Sequence, residues 1–151
     1  MTKIATRPWR IAMVVSRFNE KVTDGLKQGA LKYLKEREII IDHAHVYGAP
    51  GAYEIPLLAQ AIARTKRFDG IICLGCVIKG DTAHFEFISL GATVGLMHAT
   101  LETGVPMAFG VITTYDEAQA EARSRDDNHN KGREAAAACI EQLESLSVIR
   151  G

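Results

Sequence analysis

The sequence predicts an α/β protein, a three-layer α/β/α sandwich with a central four-stranded parallel sheet. Three observations carry this expectation. Four apolar runs of strand length recur at residues 10–16, 39–47, 68–78 and 105–112, and from Ile71 to Ile78 the third is apolar without alternation, as in a strand buried on both faces. Segments with apolar residues at helical spacing separate the runs. Polar or glycine-rich sequence gathers at the strand ends, as Ser16-Arg-Phe-Asn19, Gly51-Ala-Tyr-Glu54, Gly80-Asp-Thr-Ala-His84 and from Gly110 onward, and open α/β sheets bind ligands beyond the carboxyl ends of their strands. Four alternations of strand and helix, with one further helix, imply right-handed crossovers covering both sheet faces.

Each element follows from local chemistry. After Arg10-Ile-Ala-Met-Val-Val-Ser16, Asn19 is a candidate N-cap for a helix over 20–37, in which Val22, Leu26, Ala30 and Leu34 share one face while Lys27, Lys32, Lys35 and Glu36 face water. Residues 39–47 read as the second strand, with His43 and His45 on one of its faces. Gly48 to Pro56 is dense in turn residues, and Pro56 suits the first turn of a helix running to Thr65. The third strand is followed by a helix over 83–102 carrying Phe85, Ile88, Leu96 and Met97, with small residues between them. Pro106 lies near the start of strand four, where a missing amide is tolerated. A short helix over 116–123, a polar linker from Ser124 to Asn130 and a last helix over 132–146 complete the chain. No repeats or low-complexity segments interrupt it.

The totals narrow the function. A chain of 151 residues with 47% hydrophobic and 24% charged side chains fits one domain over 1–151, with 1–9 as an N-terminal extension. The 18 basic residues balance 18 acidic ones, so no net field favours nucleic acid or a membrane surface. A small ligand or another protein is the expected partner. The first ten residues hold no apolar core of signal-peptide length, and no run approaches a membrane span, so a cytoplasmic location is expected. Cys73, Cys76 and Cys139 are too few for a disulfide scaffold. Cys73 and Cys76 are three apart in a strand, so their sulfurs diverge and read as small core residues rather than a metal or redox pair. His129 beside Asp126 and Asp127 lies in a linker whose neighbouring side chains seldom converge on a metal, and His98 reads as a helix residue.

The most informative stretch is 71–84, where the buried strand delivers His84 to a polar turn. Gly80 lets backbone approach a ligand closely, and Asp81 or Thr82 can cap the helix that begins near Ala83, leaving amides that suit an anion. His84 then stands beside a phosphate-sized hole. Histidine titrates near neutrality, which fits it for proton transfer.

Five motifs, in order, resemble the lumazine synthase family: Arg17-Phe-Asn19, Pro50-Gly-Ala-Tyr-Glu-Ile-Pro56, Leu74-Gly-Cys-Val-Ile-Lys-Gly-Asp-Thr-Ala-His-Phe-Glu86, Gly104-Val-Pro-Met-Ala-Phe-Gly110 and Asn130-Lys-Gly132. The resemblance spans residues 10–146. It implies a flavodoxin-like fold and a transferase of riboflavin biosynthesis. Such an enzyme joins 5-amino-6-(D-ribitylamino)uracil to 3,4-dihydroxy-2-butanone 4-phosphate, with loss of phosphate and water and with no cofactor or metal. It also implies a homopentamer or a higher assembly of pentamers, with each site between neighbouring subunits.

The resemblance further implies roles for individual residues. Phe18 stacks on the pyrimidine, as a flat heteroaromatic prefers, and Phe109 closes that pocket from the neighbouring subunit. Glu54 holds ribityl hydroxyls, with Gly51, Ala52 and Tyr53 beside it, and Cys76, Val77 and Ile78 are further substrate-binding positions. Gly80, Asp81 and Thr82 cradle the phosphate, assisted by the planar fork of Arg123. His84 shuttles protons, Glu134 orients it, and Lys131 lines the phosphate side. Read without the family, Glu134 and Lys131 are equally well ordinary helix-terminal charges. The clearest departure is Arg123-Ser-Arg-Asp-Asp-Asn-His-Asn-Lys-Gly132, where the family commonly has an Arg-Ala-Gly-Thr-Lys type of sequence before Asn-Lys-Gly. Asp126 and Asp127 are expected to bring negative charge near the phosphate entrance, with Arg125 offsetting it. The rival readings are an archaeal-type riboflavin synthase, a non-catalytic lumazine- or flavin-binding homologue, and a shell-forming protein.

Overall fold

The computed structural model describes residues 8–151, so most of the expected extension 1–9 lies outside the described residues. The elements are β1 (Ile11–Ser16), α1 (Glu20–Glu36), β2 (Val46–Ala49), α2 (Ile55–Arg64), β3 (Gly70–Ile78), α3 (His84–Thr103), β4 (Met107–Thr114), α4 (Glu117–Ser124) and α5 (Lys131–Arg150). Single 3-10 turns at His43–His45 and Ala52–Glu54 precede β2 and α2. The four strands are all parallel, as expected, in the order β2-β1-β3-β4. Among the described residues no helix is long and apolar enough to cross a membrane.

β3 takes an inner position because both its faces are apolar, and Gly70 to Val77 are all buried. One face packs against α1 and α5, with Leu26, Leu34, Ile72, Leu74 and Ile140 at the centre of that layer. The other packs against α2 and α3 through Ile55, Ala59, Ile71, Ala92 and Leu96. Cys73 belongs to the second layer, Cys76 and Cys139 to the first, so the strand's alternation does separate the Cys73 and Cys76 sulfurs. Burial pushes the Cys76 thiol up to about 11 and that of Cys139 up to about 12. Such thiols stay protonated at neutral pH and pack as small apolar groups.

The second strand is shorter than its sequence suggests. Asp42 accepts a hydrogen bond from the Ala44 amide at 2.8 Å, and this local bond draws 43–45 into a 3-10 turn instead of the ladder. His43 and His45 therefore do not share a strand face; the His45 ring meets Phe68 edge-on at 4.9 Å. Asn19 stands at the N-cap position with a left-handed backbone (φ 61°), but its side chain caps nothing. It donates instead to the Cys76 carbonyl at 3.1 Å, tying the β1–α1 turn to the end of β3. Strand four runs on to Thr114, which places Gly110 in mid-strand, where an added Cβ would lie 2.5 Å from Leu74 Cδ2. Arg150 extends α5 beyond the expected residue 146 and donates to the Gly104 carbonyl at 3.1 Å.

α3 divides the apolar residues that the sequence places on it. Phe85, Ile88, Ala92 and Leu96 do face the core, whereas Met97 is 60% exposed, in line with exposed Phe87, Leu90, Val94 and Leu101. The helix is apolar on two faces, so hydrophobic periodicity could not say which residues face inward.

Ser16 marks a tension at the end of β1. It is 1% exposed and its hydroxyl has no hydrogen-bond partner among the described residues. An unpaired buried hydroxyl is destabilising, so Ser16→Ala is expected to leave stability unchanged or raise it by up to about 1 kcal/mol. Thermal unfolding at fixed protein concentration measures this, and a clear fall in Tm would show that the hydroxyl has an unseen partner.

Candidate active site

The carboxyl ends of β1 and β3 build one hollow. The chain leaves β1 through Arg17 and Phe18, enters α2 through the turn at Ala52–Glu54, and leaves β3 through Lys79 to Ala83. Together these enclose about 240 Å³ lined by Phe18, Ala52, Cys76, Val77, Ile78, Gly80, Thr82 and His84. Phe85 and Ile88 form its remaining wall. The sequence places these two on the helix after strand three without singling them out for the site, because i,i+3 spacing marks one helix face whether its first turn meets the core or borders a hollow. Phe18 is 70% exposed, so its ring is free to meet a planar ligand.

The Gly80–Thr82 turn leaves its amides open. Among the described residues the backbone amides of Gly80, Asp81 and Thr82 find no carbonyl or side-chain acceptor. No side chain hydrogen-bonds as a formal cap of α3, whose N-cap position is Ala83. Thr82 Oγ1 accepts the His84 amide at the long distance of 3.4 Å, and the Asp81 carboxylate takes none. The expected capping role thus falls only weakly to Thr82. The unclaimed amides gather at the N-terminus of a 20-residue helix, whose dipole favours negative charge. The His84 imidazole is exposed and unpartnered among the described residues.

Three of the expected substrate-binding residues and one cradle residue lie beside this hollow without lining it. Gly51 precedes the 3-10 turn, where its added Cβ would stand 3.4 Å from Glu54 Oε2. Glu54 is exposed at the N-cap of α2, and Tyr53, 62% exposed, leans against Gly91 of α3. Asp81 is exposed on the turn.

A second hollow of about 450 Å³ lies along edge strand β4, bounded by α4 and α5, and collects Phe109, Arg123, Lys131 and Glu134. Phe109 is 49% exposed between buried Ala108 and Gly110, so it projects from the edge instead of joining the core. Arg123 donates to the Gln119 carbonyl at 3.0 Å and pairs with no carboxylate among the described residues. Lys131 and Glu134, one helical turn apart, form an ion pair at 2.7 Å. Sequence reading did not single out Thr113, Ala135 and Ala138, which complete the wall; nothing local distinguishes a small residue at a pocket from one at a helix contact.

The two hollows meet different parts of the chain. His84 belongs to the first and Glu134 to the second, so within one chain Glu134 does not orient His84 and instead engages Lys131. The linker departure also differs from expectation. Asp126 pairs with Lys32 at 3.1 Å, and both aspartates border a shallow depression with Gly29, Glu36 and Arg133. Their charge is directed to the α1 surface and away from the hollow of Arg123.

Over residues 8–147 the chain matches the model of the family described as 6,7-dimethyl-8-ribityllumazine synthase. It is 59% identical over 143 residues to the 6,7-dimethyl-8-ribityllumazine synthase 1 of Caulobacter vibrioides, an alignment covering 95% of this chain and 94% of that relative. To the 6,7-dimethyl-8-ribityllumazine synthase of Salinibacter ruber it is 46% identical over 142 residues, covering 94% and 91%. With the family model matched over nearly the whole chain and both relatives aligned over more than nine-tenths of their lengths, the chain belongs to the 6,7-dimethyl-8-ribityllumazine synthase family.

Proposed function

We propose that this protein condenses 5-amino-6-(D-ribitylamino)uracil with 3,4-dihydroxy-2-butanone 4-phosphate to 6,7-dimethyl-8-ribityllumazine, the penultimate step of riboflavin biosynthesis. The observation that carries the reading is the single hollow in which an exposed aromatic ring, an unpartnered imidazole and an anion-ready turn face one another. Phe18 stacks on the pyrimidine, and Glu54 with the turn from Gly51 holds the ribityl chain. The amides of Gly80, Asp81 and Thr82 receive the phosphate. The pyrimidine 5-amino group attacks the butanone carbonyl and loses one water to give a Schiff base. His84 moves protons as the carbon–oxygen bond to phosphate breaks. Ring closure by the ribitylamino nitrogen then releases a second water. Holding the two substrates together supplies much of the acceleration, since good alignment is worth roughly 7–11 kcal/mol.

We further propose that the working unit is a homopentamer, with the β4 hollow of one subunit completing the His84 hollow of the next. Arg123 and Lys131 then bring positive charge to the phosphate, Phe109 closes the pyrimidine pocket, and Glu134 reaches the histidine of its neighbour. Two features support this. Each hollow holds only part of the required chemistry. In addition, exposed Phe87, Leu90, Val94, Met97 and Leu101 follow the alternating three- and four-residue spacing of a helix-to-helix seam. Dilution is expected to abolish assembly and activity together, as read by light scattering and rate at matched concentrations. Active monomers would overturn the shared site.

The reaction itself is tested by mixing purified protein with both substrates and following lumazine formation optically against a protein-free control, because the condensation also proceeds slowly unaided. Saturable acceleration supports the enzyme. Background rate with tight product binding would replace it with a non-catalytic binder.

A further inference from the structure

Asn130 is 1% exposed, and its side chain makes three hydrogen bonds. Its Oδ1 accepts the Arg133 amide at 3.0 Å and so caps α5. Its Nδ2 donates to the Gly25 carbonyl of α1 at 3.0 Å and to the Arg125 carbonyl at 2.8 Å. A buried amide with its donors and acceptor engaged fixes the groups around it, because leaving any of them unpaired is costly. α1 is cut away to admit it: a Cβ at Gly29 would lie 2.1 Å from Asn130 Oδ1, and one at Gly25 would lie 2.4 Å from the Ser124 carbonyl oxygen.

We infer that Asn130 is a positioning residue that sets Arg123 and Lys131 at their separation across the β4 hollow. The inference rests on the proposed reaction, in which these two cations meet the phosphate. Arg123 ends the expected span of α4 and Lys131 begins α5, so their relative placement depends on the path of 124–130. Asn130 clamps both ends of that path to α1. Among the described residues every partner of its side chain is a main-chain group, so the clamp does not depend on which side chains the linker carries. That is why a linker rich in aspartate keeps its route here: Asp126 and Asp127 decorate a path that Asn130 fixes through the backbone.

Two variants separate clamping from capping. Asn130→Ser keeps an oxygen suited to capping α5 but is too short to reach both carbonyls. Asn130→Asp keeps the shape and the cap but loses both donors. In steady-state condensation assays each is expected to raise the KM for the butanone phosphate about tenfold, as loss of correctly placed charge–phosphate contacts does. The KM for the pyrimidine and the value of kcat are expected to stay within about twofold, the pattern of lost ground-state binding. Inorganic phosphate, titrated by calorimetry, is expected to bind both variants about tenfold more weakly. Unchanged affinity for the butanone phosphate, or an equal rise in both KM values, would overturn the inference. So would failure of both variants to fold by circular dichroism, because Asn130 would then be a requirement of the domain as a whole. A wild-type protein at background rate would sink the proposed reaction alone, and phosphate calorimetry would still decide the role of Asn130: wild-type binding lost in the variants supports it, and no wild-type binding overturns it.

Discussion

His84→Ala is expected to slow condensation about 100- to 10,000-fold, the range by which general acid–base groups accelerate reactions, while leaving a rate above the protein-free background. The residual rate follows from geometry. Phe18 and the Gly80–Thr82 turn, which share the hollow with His84, do not depend on the imidazole and would still hold both substrates. Alignment alone supplies roughly 7–11 kcal/mol when the reacting atoms are well placed. Because the ring is exposed and has no partner among the described residues, its removal leaves no buried group unsatisfied, and thermal stability should not move. Lumazine formation and thermal unfolding measured on the same preparation separate the two effects. Unchanged turnover would remove His84 from the mechanism, and a fall in Tm with a matching loss of rate would make its role structural.

Gly132→Ala is expected to have the largest effect on the fold. An added Cβ would stand 1.9 Å from the Leu26 carbonyl oxygen and 2.5 Å from its carbonyl carbon. These are backbone atoms in the middle of α1, with no rotamer by which to withdraw, so α5 must slide or tilt. Overpacking of this kind costs about 3 kcal/mol at the upper end of its usual range, which for a domain of this size lowers Tm by roughly 6–12 °C. The displacement also carries Lys131 and Glu134 away from the β4 hollow, so affinity for the butanone phosphate should fall with stability. Thermal unfolding at fixed protein concentration measures the first and substrate titration the second. A variant with wild-type Tm would mean that α1 and α5 can separate at no cost, contrary to the tight contact between them.

Much of this was legible in the residues. Val22, Leu26, Ala30 and Leu34 announced the buried face of α1 through helical spacing, and all four are buried. Ile71 to Ile78 announced a strand covered on both sides, and Cys73 and Cys76 separated as strand alternation requires. Of the residues lining the two hollows, those in the motifs stand out because each lies in a short stretch with its own chemical signature. Phe85 and Ile88 stand out only as apolar helix residues, because a wall residue and a core residue have the same spacing.

What sequence did not reveal depends on contacts between distant segments. Asp42 converting 43–45 into a turn is a local contest that periodicity cannot weigh. Asn19 stands where a cap belongs, yet its amide reaches the Cys76 carbonyl 57 positions away. Asp126 follows Arg123 closely in sequence, yet Lys32 draws it to the surface of α1. The chain by itself determined the layers, the strand ends and the residues with reactive side chains, because local pattern sets which face of each element is apolar and where the backbone must turn. Tertiary structure alone decided which of those residues share a hollow: the partition of His84 from Glu134, and the course of the linker under Asn130, follow from how helices pack across a sheet, which no short window of sequence encodes.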